Sequence, residues 1–97
     1  MAAAPEQVYI GRMIQVEHID KDTFSVTVDE GETASKHEVE LDDGYFESLT
    51  GGEGTKEELI KRSFEFLLER EPKETIMSRF HLSIIPQYFP EYEAEVG

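Results

Sequence analysis

The side chains with the most chemical potential in this chain are three histidines, His18, His37 and His81, set among 22 aspartates and glutamates. An imidazole beside a carboxylate can move protons near neutral pH, because histidine titrates there and the carboxylate fixes its tautomer. His18 and His37 fall in step with Val16 and Val39 in two stretches of alternating residues, which puts both rings on the inward phase, at the rim of a sheet. A small enzyme using one of these rim histidines with neighbouring carboxylates is therefore one class of function open to the chain. No third ligand stands at a metal-site spacing, and no Ser-His-Asp constellation can be justified. A rim or core histidine that satisfies its own hydrogen bonds explains the pattern more simply. The sequence accordingly assigns no catalytic, cofactor-binding or metal-binding residue, and no cofactor.

Two further patterns imitate binding loops. Asp20-Lys21-Asp22 begins like a calcium loop, but Phe24 stands at the next ligand position, Ser25 where glycine is required and Gly31 where the closing glutamate belongs. A tight aspartate-rich turn remains. Gly51, Gly52 and Gly54 precede a helix, as in phosphate-cradling loops. The P-loop and dinucleotide spacings are absent, and Glu53, Glu57 and Glu58 would repel a phosphate. A hinge and helix entry accounts for the glycines.

Recognition of another protein needs different residues. The formal charge is −13, from 22 acidic and 9 basic side chains. That balance opposes binding to nucleic-acid phosphates and to anionic membrane surfaces. It suits either a highly soluble surface or a face that meets a basic protein, in the extreme by mimicking nucleic acid. Glu17, Asp29, Glu38 and Glu40 lie on the outward phase of the alternating stretches and form the candidate partner-binding face. The densest aromatic cluster, Tyr88, Phe89 and Tyr92 around Pro90, most simply closes the core against the helix; a partly exposed member of it would offer an anchor of the kind that dominates interfaces. Phe89 is expected inside and Tyr92 exposed, which adds Tyr92 to the candidate binding residues.

These residues must be positioned by local elements. Between about residues 8 and 41 the apolar period is two: Ile14 and Val16, then Phe24, Val26 and Val28, then Val39 and Leu41. This predicts a three-stranded antiparallel β-meander, with Gly11 at a bulge or at the true strand start. Tyr45, Phe46 and Leu49 suggest one short helical turn, and residues 50–54 a glycine-rich linker. Thr55 and Glu58 form a capping box, and Leu59, Ile60, Phe64, Phe66, Leu67 and Leu68 cover a wide arc of a helix over 55–71, ended by Pro72. Residues 72–89 are expected to be a bent helical segment. In it Ile76, Met77 and Phe80 supply an apolar edge, and Ser83 caps a last short turn that Pro90 ends.

The combination SFEFLLEREP, then F-x-L-x-x-I from Phe80 to Ile85, then YFPEYE resembles a family of small uncharacterised bacterial proteins. The resemblance covers roughly Asp42 to Glu93. It implies a bacterial, cytoplasmic, single-domain protein and brings no activity or site residue.

The expectation is an α+β fold in a single small domain over residues 1–97, with residues 1–7 disordered. No cysteine is present, so there is no disulfide framework. The opening MAAAPEQ lacks the features of a secretory signal, and no apolar run reaches the ~20 residues of a membrane span. A cytoplasmic, monomeric, non-catalytic protein-binding or regulatory module with an acidic surface fits these features best, its partner a basic protein surface.

Overall fold

The computed structural model describes residues 12–97. The expected strand start near Val8, the Gly11 bulge and the disordered 1–7 tail lie outside the described residues. Strands β1 (Met13–Asp20), β2 (Thr23–Asp29) and β3 (Ala34–Glu40) form the antiparallel meander that the alternation predicts. Lys21, at φ 42°, turns the first hairpin. Gly31, at φ 95°, turns the second, where the Glu30 amide donates to the Thr33 carbonyl at 2.9 Å. The inward phase is buried: Phe24, Val26, Val28 and Val39 are all at most 2% exposed. The β1–β2 register slips between His18 and Asp20, which leaves Ile19 out of the ladder and exposed.

The sheet has a fourth strand, β4 (Arg79–His81), parallel to β3 with Phe80 beside Val39. This corrects the expectation of a bent helical segment over 72–89. Pro72 is extended, at φ −70° and ψ 157°, and only one 3₁₀ turn, Lys73–Thr75, follows before the chain is extended again at Ile76. The free edge of β3 decides the matter, because its backbone groups need partners; the Glu38 amide donates to the Ser78 carbonyl at 2.7 Å. Ile76 and Phe80 are buried as expected, whereas Met77 is exposed.

A parallel pair needs a crossover, and two helices supply it. α1 (Asp43–Thr50) is longer than the single turn expected and takes in Thr50, so the linker begins at Gly51, the left-handed C-cap at φ 73°. Asp42 caps α1 by accepting from the Tyr45 amide at 2.8 Å. α2 (Lys56–Leu68) has the capping box: the Glu58 amide donates to Thr55 Oγ1 at 3.1 Å and the Thr55 amide to Glu58 Oε1 at 3.0 Å. It ends short of the predicted 71, with the Arg70 and Glu71 amides folding back onto the Leu67 carbonyl. Its wide apolar arc is packed on two sides. The sheet covers one through Phe64, whose ring meets His37 and Phe80. The C-terminal elements cover the other: a 3₁₀ turn (Leu82–Ile84), α3 (Ile85–Tyr88) and α4 (Tyr92–Val96). The turn before α3 is capped by His81, whose Nδ1 accepts from the Ser83 amide at 3.0 Å, and not by Ser83 itself. Helical structure also resumes beyond Pro90, where none was expected. Among the described residues no helix is long and apolar enough to cross a membrane.

Candidate functional site

The three histidines do not converge. His37 is buried under α2, with Nδ1 donating to the Met77 carbonyl at 2.8 Å and Nε2 meeting Ser35 Oγ at 2.8 Å. A neutral ring so placed spends its N–H on the carbonyl and its lone pair on the hydroxyl. His18 stacks on Phe24, with ring centroids 5.0 Å apart, and its Nε2–H donates to the Lys21 carbonyl at 2.6 Å. It lies on a different rung of the sheet from His37, since its row is Phe24 and Val39 while His37 pairs with Val26.

His81, which the sequence does not single out, does face a carboxylate: Nε2 is 3.8 Å from Asp42 Oδ2. The Tyr45 amide bond holds the Asp42 carboxyl below its ordinary range. Because Nδ1 already accepts from the Ser83 amide, Nε2 carries the proton of a neutral ring, and no lone pair remains to abstract one from a substrate. Among the described residues no group of three or more histidine, aspartate or glutamate side chains is placed to hold a metal ion.

The candidate acidic face is the outer side of the sheet. Glu17, Asp29 and Glu40 are exposed and Glu38 half-buried. Glu17 faces Ser25, Ser25 faces Glu38 and Glu38 faces Arg79, so one row crosses the whole sheet. Arg79 clasps Glu38, with Nε donating to Oε1 at 2.7 Å. Lys36 projects from the same face two residues away. Asp29 is committed to the hairpin, accepting from the Gly31 amide at 2.9 Å. The face is thus acidic but partly neutralised. Asp22 of the calcium-like turn is tied down similarly, with Lys56 Nζ at 3.4 Å, and the same Nζ reaches Asp43 at the start of α1 at 2.6 Å.

Tyr92 is not exposed. It is 0% accessible, packed at 5.3 Å from the Phe66 ring, with its hydroxyl 2.6 Å from Ser63 Oγ. Phe89 is only half-buried, and Tyr88 is the exposed ring at 65%. The reversal follows from helix α4: resuming a helical turn after Pro90 swings Tyr92 back onto α2, against the one small residue, Ser63, in its apolar arc. Tyr92 therefore leaves the set of candidate binding residues.

Tyr88 marks an apolar groove of about 300 Å³ where the end of α2 meets the C-terminal elements. Leu67, Ile76, Phe80 and Ile85 form its buried floor, with Ile84 and Phe89 half-buried along it. Met77, 43% exposed, and Tyr88 stand at its mouth. Two prolines keep it open. Pro72 forces the chain out of helix after α2, and Pro90 stops α3 after one turn, so no element is long enough to cover the floor. Among the described residues Glu71 is the only charged one in its lining, and its Oε1 accepts from Thr75 Oγ1 at 2.6 Å. The clustering of Met77 with Tyr88 was hidden in the sequence because it depends on β4. The one available signal was the aromatic density around Pro90.

Compared with protein-family models, curated proteins and solved structures, the chain matches none.

Proposed function

We propose that the chain is a cytoplasmic, non-catalytic protein-binding module whose partner places apolar side chains in the groove between α2 and the C-terminal elements. The observation that carries this reading is the pair Met77 and Tyr88, large apolar side chains left in water at the mouth of a groove with a ready-made apolar floor. Exposed methionine and tyrosine beside a concavity are the adaptable and anchoring groups of binding surfaces. A small enzyme would need a pocket that gathers a histidine with carboxylates. The groove has one carboxylate and no histidine in its lining, His37 has both ring nitrogens in use, and His81 has spent its Nδ1 lone pair on the Ser83 amide. The acidic outer face is the less favoured binding site, since Arg79 and Lys36 offset part of its charge. Its role in this reading is solubility and the long-range attraction of a basic partner.

The test is affinity capture from the native cell extract, followed by binding measurements on the purified partner. Tyr88→Ala should weaken that binding by about ten-fold or more, the range of an interface anchor. The double variant Glu17→Gln/Glu40→Gln should alter chiefly the association rate and its salt dependence. A partner indifferent to Tyr88→Ala but lost with the glutamine pair would move the binding site to the sheet.

A further inference from the structure

We infer that the partner of the groove supplies an extended segment, which adds to the open edge of β4 as a further strand and turns alternate apolar side chains onto the groove floor. This inference rests on the groove being a protein-binding site, and it adds the form of the segment that enters.

The main chain of β4 gives the first argument. The sheet order is β1-β2-β3-β4, so β4 has a neighbour on one side only. It pairs with β3 in parallel, Arg79 beside Glu38, and the Glu38 amide donates to the Ser78 carbonyl. In that register Phe80 turns its N–H and C=O towards β3, while Arg79 and His81 turn theirs to the opposite edge. Among the described residues neither Arg79 nor His81 makes a main-chain bond outside the ladder, and the Met77 amide has no main-chain partner. Peptide groups left along a sheet edge are a template for another strand. A helix cannot use them, because its own peptide groups are spent internally.

The edge is also unguarded. Charged side chains and bulges ordinarily blunt an edge strand. Here the Arg79 guanidinium is drawn back over β3 to Glu38, and the His81 ring is held by the Ser83 amide. The other edge of the sheet, β1, slips out of register at Ile19, and Gln15, Glu17, Ser25 and Thr27 line the hollow on its outer face with Val16.

Continuity between edge and groove gives the third argument. Phe80 is the inward residue of β4 and part of the groove floor, and Met77, where the open edge begins, stands at the groove's mouth. A strand laid beside β4 turns every second side chain to the same side as Phe80, towards Ile76, Ile84 and Ile85. The edge then supplies attachment and the groove selects side chains, as when a peptide joins a sheet. The occupant is thus an extended segment of another protein, apolar at alternate positions. A second copy of the chain offers only the 3 residues of its own β4 and brings a further −13 of charge, which opposes self-pairing.

The experiment titrates the ¹⁵N-labelled full-length chain with three synthetic peptides of matched length. One alternates valine and threonine. The second has the same residues in blocks, and the third keeps the alternation but has its central amides N-methylated, which removes the donors. The alternating peptide should bind, and the other two at least about ten-fold more weakly. At saturation, amide exchange at Met77 and Arg79 should slow at least about ten-fold, with little change at Phe80, which already faces β3. Tyr88→Ala should weaken the alternating peptide about ten-fold or more. Arg79→Pro deletes an outward N–H and leaves the β3 side of the ladder intact, so it should weaken binding about ten-fold. Arg79→Gln keeps that N–H and should change binding less than about two-fold.

Failure of the alternating peptide to bind, equal binding of the N-methylated or the block peptide, or unchanged exchange at Met77 and Arg79 would each overturn the inference. Self-association of the chain that Arg79→Pro abolishes would overturn the foreign occupant. Should Arg79→Pro fail to fold, the N-methylated peptide decides alone. The parent reading fails separately, when the natural partner's binding is indifferent to Tyr88→Ala.

Discussion

Tyr88 and Tyr92 stand four residues apart in one aromatic cluster, yet water reaches 65% of the first and none of the second. What separates them is a hydrogen bond. A buried phenol needs a partner, and Ser63, on the helix facing Tyr92, provides one at 2.6 Å while donating to the Leu59 carbonyl at 2.7 Å. Tyr92→Phe keeps the ring and removes the hydroxyl, so it should cost about 0.5–1.5 kcal/mol in urea unfolding. Alkali offers a second reading of the same group. Burial pushes the Tyr92 phenol up to about 12, against an ordinary value near 10 in the unfolded chain. The fold favours the neutral form, so this contribution is complete below pH 10 and is lost as pH rises towards 12, by about 1.4 kcal/mol per pH unit. Tyr45 is raised as well, by burial and by its bond to Glu93 at 2.7 Å. Tyr92→Phe should therefore flatten the alkaline loss of stability in part, and Tyr45→Phe/Tyr92→Phe flatten it further. An alkaline limb unchanged by either would mean that Tyr92 is not enclosed.

Helix α2 is the element on which the others are placed, and it was legible from sequence because its signals are local. The capping box spans four residues and the apolar arc repeats within the helix itself. Thr55→Ala should cost about 0.5–2 kcal/mol, and Ser48→Ala, exposed on α1, much less; equal losses would mean that the cap is not formed. Phe64, 0% exposed between His37 and Phe80, should cost about 3–5 kcal/mol on truncation to alanine. A denaturant midpoint unmoved by Phe64→Ala would remove α2 from the core. The strands of the meander were legible for the same local reason. β4 was not, because its three residues have no period of their own and its partner lies some forty positions upstream in β3. α1 was legible only in part: it buries no residue completely, so its apolar spacing is faint. The groove is lined from the end of α2, the segment through β4 and α3, and could not be read before β4 was placed. A buried lysine marks the same boundary. Lys73, 3% exposed, links Glu30, Thr33 and Glu74, so Lys73→Ala should speed amide exchange at Glu30 and Ile76 together.

At the scale of the whole molecule, charge and apolar surface divide the work. The −13 charge repels itself, so the unfolding midpoint should rise as salt goes from about 10 to about 150 mM and the screening length falls from ~30 to ~8 Å. A midpoint that falls would give the ion pairs, such as Arg70 with Glu91 and Glu95, more weight than the net repulsion. In the proposed reading the same field brings basic partners near without fixing where they bind; that task goes to the groove, where Met77 and Tyr88 stand exposed over an apolar floor. The most direct measurement of this claim is backbone amide shift mapping of the ¹⁵N-labelled chain as the captured partner is added. The largest changes should fall at Glu71, Ile76, Met77, Ile84, Tyr88 and Phe89, with little change at Glu17, Ser25 and Glu40. Changes concentrated on that sheet row, or around His81 and Asp42, would contradict it.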